Sequence, residues 1–286
     1  MKIIKYFFQS IVIFILFFIF KILGYKNSSN MSAILFGLFG PLIRSKKIIM
    51  NNINIAFPNS KKNFSNEIIK NMWKYYGRIL SDYMFIKSFR KKKLDKYIEI
   101  EGKEILEKIK EEKKPVIFIS GHFNNFELLA MEIAKTGIEL AVVYRPLNNI
   151  FLNKIMEQIR TNYICKNQVP KGIKGVKKLV EFVKNGKSIA LMIDQRVSQG
   201  IKSKLFNRYA YTTTIPGQFV KKYSLPIVPV YIERIRQHNF KIYFETPIVF
   251  DQKESIEKIT SDLNLWLEKK IKKNPAQWIW SHNRWK

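Results

Sequence analysis

Gly121-His-Phe-Asn-Asn-Phe-Glu127 places an imidazole and a carboxylate at a junction between two kinds of sequence. Ahead of it, Pro115-Val-Ile-Phe-Ile-Ser120 is a β-branched and aromatic run of the kind that forms a buried strand. Behind it, Leu128, Leu129, Ala130, Met131, Ile133 and Ala134 recur at helical spacing, so a helix is expected from near Asn124. Inside one helix, residues five apart lie about 140° from each other on different faces. With His122 still in the turn and Glu127 in the first helical turn, the two side chains can meet. An imidazole oriented by a carboxylate makes a general base that works near neutral pH. A purely structural role is open beside this one. Asn124-Asn125-Phe126-Glu127 also fits an N-cap with an acid at N3, in which case Glu127 caps and His122 is an ordinary turn residue.

Other catalytic signatures fail. There is no His-Glu-x-x-His and no Gly-x-Ser-x-Gly elbow, and Gly186-Lys187-Ser188 lacks the first glycine of a phosphate loop because position 181 is Glu. The single cysteine, Cys165, rules out an internal disulfide framework and a multi-cysteine zinc site, and reads as a buried structural thiol. His238 falls in an expected hairpin turn and His282 among terminal tryptophans; the Trp278, Trp280 and Trp285 cluster is expected to be packing rather than a ligand cage.

The elements that must position His122 follow an alternating plan. Helices are expected at Glu67 to Lys87, Gly102 to Lys114, 125–136, 150–160, Lys171 to Lys184, Pro216 to Tyr223 and Ser255 to Lys272. Strands are expected at 115–120, Leu140 to Tyr144, Ser188 to Ile193, Ile227 to Ile232 and Phe240 to Phe250. Such alternation predicts an α/β fold, with a mainly parallel sheet flanked by helices. Sites in such folds gather at the carboxyl ends of strands. His122, Arg145 and Asp194 all fall just past expected strand ends, which favours a functional His122.

At the N-terminus, Tyr6 to Phe20 is uncharged and Ile11 to Phe20 is uninterrupted large apolar sequence, flanked by Lys2, Lys5, Lys21 and Lys26. It is short for a span but adequate if the lysines snorkel, and no small-x-small cleavage site follows it. A second apolar segment, Met31 to Ile43, is broken by Gly37, Gly40 and Pro41, so one span or a shallow embedded pair is expected. Residues 1–23 are expected to anchor a domain of residues 24–286. The net charge of +29 admits nucleic acid, anionic lipid or an acidic protein as partner. However, only ten of the 51 bases are Arg, and no zinc finger, aromatic RNA-binding signature or Arg-rich arm supports nucleic acid.

Several blocks in order resemble the bacterial late lipid A acyltransferases, the lauroyl and myristoyl transferases of lipopolysaccharide synthesis. Asn51-Asn-Ile-Asn-Ile-Ala-Phe-Pro58 looks like the family's segment after the anchor, and Gly121 to Glu127 is similar to its His-x4-acid motif. Tyr144-Arg-Pro-Leu-Asn-Asn149, Asp194-Gln195, Pro226-Ile-Val-Pro-Val230 and Gln277 to Lys286 resemble its later blocks. Phe126 stands where Trp is common. The resemblance covers nearly the whole chain. It implies a glycerolipid-acyltransferase-like fold and an inner-membrane enzyme whose catalytic domain faces the cytoplasm. It implies transfer of a fatty acyl chain from acyl carrier protein to a hydroxyl of an anionic lipid acceptor, a lipid A precursor, with no metal or redox cofactor. In that chemistry His122 is the base and Glu127 holds its ring. Arg145 serves an acceptor phosphate or the oxyanion, and Asp194 organises the site or supports Arg145. Lys171, Lys174, Lys177 and Lys178 form a basic helix face suited to an acidic carrier, or merely to solvent. The rivals are the same chemistry on another glycolipid, glycerolipid or aminolipid, and a non-enzymatic basic membrane scaffold.

Overall fold

The computed structural model describes residues 2–286. The chain opens with helices α1 (Lys2–Phe39), α2 (Lys46–Ala56), α3 (Lys62–Met84) and α4 (Ile86–Arg90). It continues as β1 (Ile98–Glu101), α5 (Lys103–Glu112), β2 (Ile117–Ser120), α6 (Glu127–Lys135), β3 (Leu140–Tyr144) and α7 (Ile150–Ile159). Then come β4 (Asn167–Pro170), α8 (Ile173–Lys184), β5 (Ser188–Met192), β6 (Ile201–Leu205) and β7 (Arg208–Thr212). The chain closes with α9 (Ile215–Tyr223), β8 (Ile227–Arg234), β9 (Phe240–Phe244) and α10 (Ile256–Lys273).

Seven strands form one sheet in the order β1-β9-β8-β2-β5-β3-β4, while β6 and β7 make a separate hairpin. Within the sheet every pairing is parallel except β8 with β9. The expected mixed, mainly parallel α/β architecture is therefore present. β2 is a central strand with all four residues buried, as its apolar run 117–119 requires when helices cover both faces. One register matters for the site: Ser120 of β2 pairs with Met192 of β5. Residues two further along each strand, His122 and Asp194, are thereby brought side by side.

α1 is one long helix kinked at Gly24, whose φ of 71° and ψ of 172° leave the helical region. It is long and apolar enough to cross a membrane. Before the kink, Ile4, Phe8, Val12, Ile15, Phe18 and Ile22 are exposed. After it, Ser28, Ser29, Ser32 and Ala33 are buried against α3. Gly77 permits that close approach, since a Cβ there would lie 2.2 Å from the Ser32 carbonyl oxygen. The second apolar segment continues the same helix beyond the kink: one side packs on α3 while Ile34, Leu38, Phe39 and Leu42 remain exposed.

Candidate active site

His122 stands in the turn after β2, and the turn is held from beneath. Asn124 takes the left-handed conformation (φ 40°) and donates its backbone N–H to the Gln277 carbonyl at 2.9 Å. Its side-chain oxygen accepts from the Asn125 backbone N–H and from Arg234 Nε. Arg234 donates to Asp82 at 2.5 Å, and Asn125 donates to the same carboxylate oxygen at 3.1 Å. Asp82 and Arg234 side chains are fully buried, with the guanidinium 4.1 Å from the Phe240 ring centroid. A buried charge pair of this kind contributes little net stability, but it fixes geometry because losing either member strands the other.

On that platform the His122 ring meets Asp194. Nδ1 lies 2.7 Å from Oδ1, while Oδ2 accepts the His122 backbone N–H at 2.8 Å and the Trp278 indole N–H at 2.9 Å. Burial alone would raise the Asp194 carboxyl; the His122 charge and these donors outweigh it and hold it below the usual carboxylate range. An ionised acceptor at this position assigns the ring proton to Nδ1 and leaves Nε2 as the basic nitrogen. The Gln195 amide nitrogen sits 3.3 Å from Nε2, and the Phe126 ring stands edge-to-face on the imidazole at 4.6 Å.

Two sequence expectations change here. Glu127 does not hold the imidazole. Its Oε1 accepts from Arg160 Nε at 2.8 Å, Arg160 Nη2 at 2.5 Å and the Tyr83 hydroxyl at 2.8 Å. The physical cause is that α6 begins at Glu127 itself, later than the expected 125, and the β2–β5 register supplies a nearer carboxylate. Nor does Glu127 complete a capping box, because no side chain caps α6 at Phe126. Asp194, expected to bind substrate by organising the site or supporting Arg145, is wholly buried behind the ring, where it bonds His122 rather than Arg145 or a space open to substrate. Burial acts to lower the Arg160 pKa, but the Glu127 charge outweighs it and pushes the guanidinium up, so Arg160 is a permanent cation.

Arg145 follows β3 as expected; it is exposed and, among the described residues, in no ion pair. It lines a cavity of about 960 Å³ that also reaches His122, Glu127, Arg160, Gln195, Arg44 and Lys171. A second cavity, of about 390 Å³, also reaches His122 and Phe126 but is otherwise walled almost entirely by apolar and aromatic side chains. The imidazole therefore stands where a cation-rimmed space meets an apolar one. Tyr83, Arg160, Gln277 and the structural role of Trp278 escaped sequence reasoning. Only the terminal tryptophan block marked part of that set, and Trp278 and Trp280 are indeed core residues, packed at 4.7 Å. Cys165 is buried, as expected.

An α/β sheet with a histidine–carboxylate pair at its carboxyl edge, next to an apolar cavity and an apolar helix, is the arrangement of an enzyme doing general-base chemistry on an apolar substrate beside a membrane. The comparison with known families supplies the reaction, acyl transfer. The whole chain, residues 1–286, matches the bacterial lipid A biosynthesis acyltransferase family, and the protein belongs to it. It is 22% identical over 249 residues to the lipid A biosynthesis palmitoleoyltransferase of Escherichia coli K12, covering 86% of this chain and 80% of that one. To the lauroyltransferase of the same organism it is 21% identical, covering 85% and 79%. Among solved structures it is similar to the 1-acyl-sn-glycerophosphate acyltransferase of Thermotoga maritima (15% identity, TM-score 0.43, 87% of this chain and 98% of that one). The protein is thus an acyltransferase of lipid A biosynthesis, acting on a lipid A precursor.

Proposed function

We propose that the enzyme takes its acyl chain from the thioester of acyl carrier protein and delivers it directly to a hydroxyl of a lipid A precursor. The carrying observation is the His122–Asp194 pair at the meeting of the two cavities. Nε2 removes the acceptor hydroxyl's proton as that oxygen attacks the thioester carbonyl. Asp194 stabilises the imidazolium that forms and keeps the ring in its productive tautomer. The tetrahedral intermediate collapses by breaking the carbon–sulfur bond, and the imidazolium returns its proton to the departing thiolate. The Gln195 amide, beside Nε2, is a donor for the transient oxyanion.

Arg145, unpaired on the cavity wall, takes an anionic group of the acceptor. Glu127 is a positioning residue: with Tyr83 it holds Arg160 against the same cavity. The carrier reading draws support from Lys171 on the cavity rim and the exposed Lys174, Lys177 and Lys178 on α8, which offer a basic face to an acidic protein. We place the protein in the inner membrane through residues 1–23, with residues 24–286 as a catalytic domain facing the cytoplasm, where the carrier is loaded.

Purified protein supplied with lipid A precursor and either acyl carrier protein or coenzyme A thioesters tests this, with products read by mass spectrometry. The expected result is one added acyl group, a strong preference for the carrier thioester, and loss of product in His122→Ala. Equal use of the two donors would overturn the carrier, and an active His122→Ala protein would overturn the mechanism.

A further inference from the structure

α1 has two faces before its kink. Tyr6, Ser10, Ile13, Phe17 and Phe20 recur at spacings of four and three, which places them on one stripe. Ser10 and Phe20 on that stripe are buried, at 2% and 0% exposure. The opposite stripe, with Phe8, Ile15 and Phe18, is more than half exposed. An anchor that served only to hold the domain at a membrane would need no such inner stripe, and least of all a polar residue on it.

Ser10 donates to the Tyr6 carbonyl of its own helix at 2.8 Å and also faces Asn149. Its hydroxyl lies 3.2 Å from the Asn149 side-chain oxygen, and the Asn149 amide donates back to the Tyr6 carbonyl at 2.9 Å. The same Asn149 oxygen caps α7 by accepting from the Phe151 and Leu152 backbone N–H groups. One asparagine therefore ties the anchor helix to the start of α7 and to the loop that carries Arg145. One turn further along, the anchor is joined to the active site itself. Ile13, Phe14 and Phe17 form one wall of the 390 Å³ apolar cavity. Residues Tyr75 to Tyr83 of α3 and Leu152 to Ile159 of α7 supply other walls. His122, Asn124 and Gln277 give the cavity its polar end.

We infer that the N-terminal helix is a structural part of the catalytic site, in which Ile13, Phe14 and Phe17 bound the space for the transferred acyl chain and so set the chain length the enzyme accepts. This rests on the acyl transfer proposed above. A thioester carbonyl attacked beside Nε2 has its first methylenes at the His122 end of the cavity. The rest of the chain then has two apolar spaces in reach, the deep end of the larger cavity around Phe118, Leu129, Ile133 and Val142 and the smaller cavity; the smaller one is apolar on nearly every wall and is closed on one side by α1. The acceptor's polar and anionic groups are served by the larger, cation-rimmed cavity instead. The hydrocarbon chain is thus sorted from the phosphorylated headgroup by the two spaces that meet at the imidazole.

The test uses the full-length protein in detergent, so that membrane attachment is not a variable. Wild type, Phe14→Ala, Phe17→Ala and Ile13→Trp compete for a mixture of carrier thioesters, and product masses report the chain chosen. Phe18→Ala and Ile15→Ala, on the exposed stripe, lose as much apolar surface without touching the cavity. The alanine variants at 14 and 17 should raise kcat/KM for longer over shorter chains by at least about tenfold, the discrimination a few methylenes give in an apolar pocket. Ile13→Trp should move preference toward shorter chains, and the exposed-stripe variants should match wild type. Two cavity sites and two directions of change keep the result readable if one variant fails to fold. Unchanged chain-length profiles in folded cavity variants, with transfer intact, would overturn the inference alone. Equal shifts in the exposed-stripe variants would overturn it too, since they would trace selection to general hydrophobicity. No transfer by wild type from any thioester would remove the proposed reaction, and the inference with it.

Discussion

Asp194→Asn should disable the enzyme while leaving it folded. Asp194 receives the ring Nδ1–H on one oxygen and two fixed donors, the His122 backbone N–H and the Trp278 indole, on the other. An amide offers only one acceptor oxygen. If that oxygen faces the two fixed donors, its NH2 group faces Nδ1, which must then accept, and the ring proton moves to Nε2. Every hydrogen bond is satisfied and the base is gone. If the amide turns the other way, the ring keeps its productive tautomer, but two donors oppose an NH2 group in a site with no solvent. Each stranded buried donor costs about 1–3 kcal/mol, so the active arrangement lies about 2–6 kcal/mol above the inactive one. At about 1.4 kcal/mol per tenfold, kcat should fall by about 30-fold to about 10⁴-fold. Loss of the charge that stabilises the imidazolium adds to this. The assay is the initial rate of acyl transfer by mass spectrometry, alongside the melting temperature. With only three histidines in the chain, nitrogen NMR of ¹⁵N-histidine protein can also report which ring nitrogen carries the proton. A folded Asp194→Asn protein within about tenfold of wild-type kcat would refute the tautomer argument and with it Asp194's role.

Glu127→Gln should show the opposite balance, lowering the melting temperature while reducing kcat less than Asp194→Asn, because it leaves the half-buried Arg160 cation uncompensated. A larger loss of kcat at Glu127 than at Asp194 would return the imidazole to Glu127. Arg145→Lys keeps the charge but not the planar fork, so kcat/KM for a phosphorylated acceptor should fall by about tenfold or more at an unchanged melting temperature, and normal kinetics would take Arg145 out of the site. Cys165→Ala should stay active with no acyl-enzyme accumulating on intact-mass measurement, since burial raises the thiol pKa and Cys165 lies outside both cavities. Burial, with nearby cations adding to it, lowers the His282 pKa from 6.5 to about 4, so the folded state resists its protonation. Stability present above pH 6.5 should therefore be lost as pH falls toward about 4, and His282→Gln should recover roughly 1–2 kcal/mol of it, allowing for partial exposure. Parallel melting curves for the two proteins across that range would disprove it.

Four of the five strands that the sequence announced are largely buried; β9, the fifth, alternates buried and half-buried residues. β2, β3, β5 and β8 carry apolar runs (117–119, 140–144, 189–192 and 227–232) because helices cover both sides of a mainly parallel sheet, and such runs stand out against a Lys-rich background. The strands it hid are partly exposed. Ile98-Glu-Ile-Glu101 and Ile201-Lys-Ser-Lys-Leu205 alternate inward apolar with outward charge, a pattern too short to separate from the surrounding charge runs. Asn167 to Pro170 carries almost no strand propensity and owes its conformation to pairing with β3. β9 was overextended because Ile248-Val249-Phe250 is apolar again after Glu245-Thr246-Pro247, although only a single bridge, Ile227 with Ile248, continues the pairing beyond Phe244.

The site divides along a different line. His122, Arg145 and Asp194 were visible as polar residues after strands, because where a strand ends is a local property. Which carboxylate meets the imidazole is not local. Five residues separate His122 from Glu127 in the sequence, and that proximity favoured the wrong partner. Asp194 lies 72 residues away and arrives through the pairing of Ser120 with Met192, which no periodicity encodes. The same holds for the platform beneath: Asp82, Asn124, Arg234 and Gln277 converge from four separate stretches of chain into one buried network. Taken singly each looks like an ordinary surface residue. Together they account for two charged side chains at 0% exposure, a cost the fold accepts only where the turn carrying His122 must hold one shape.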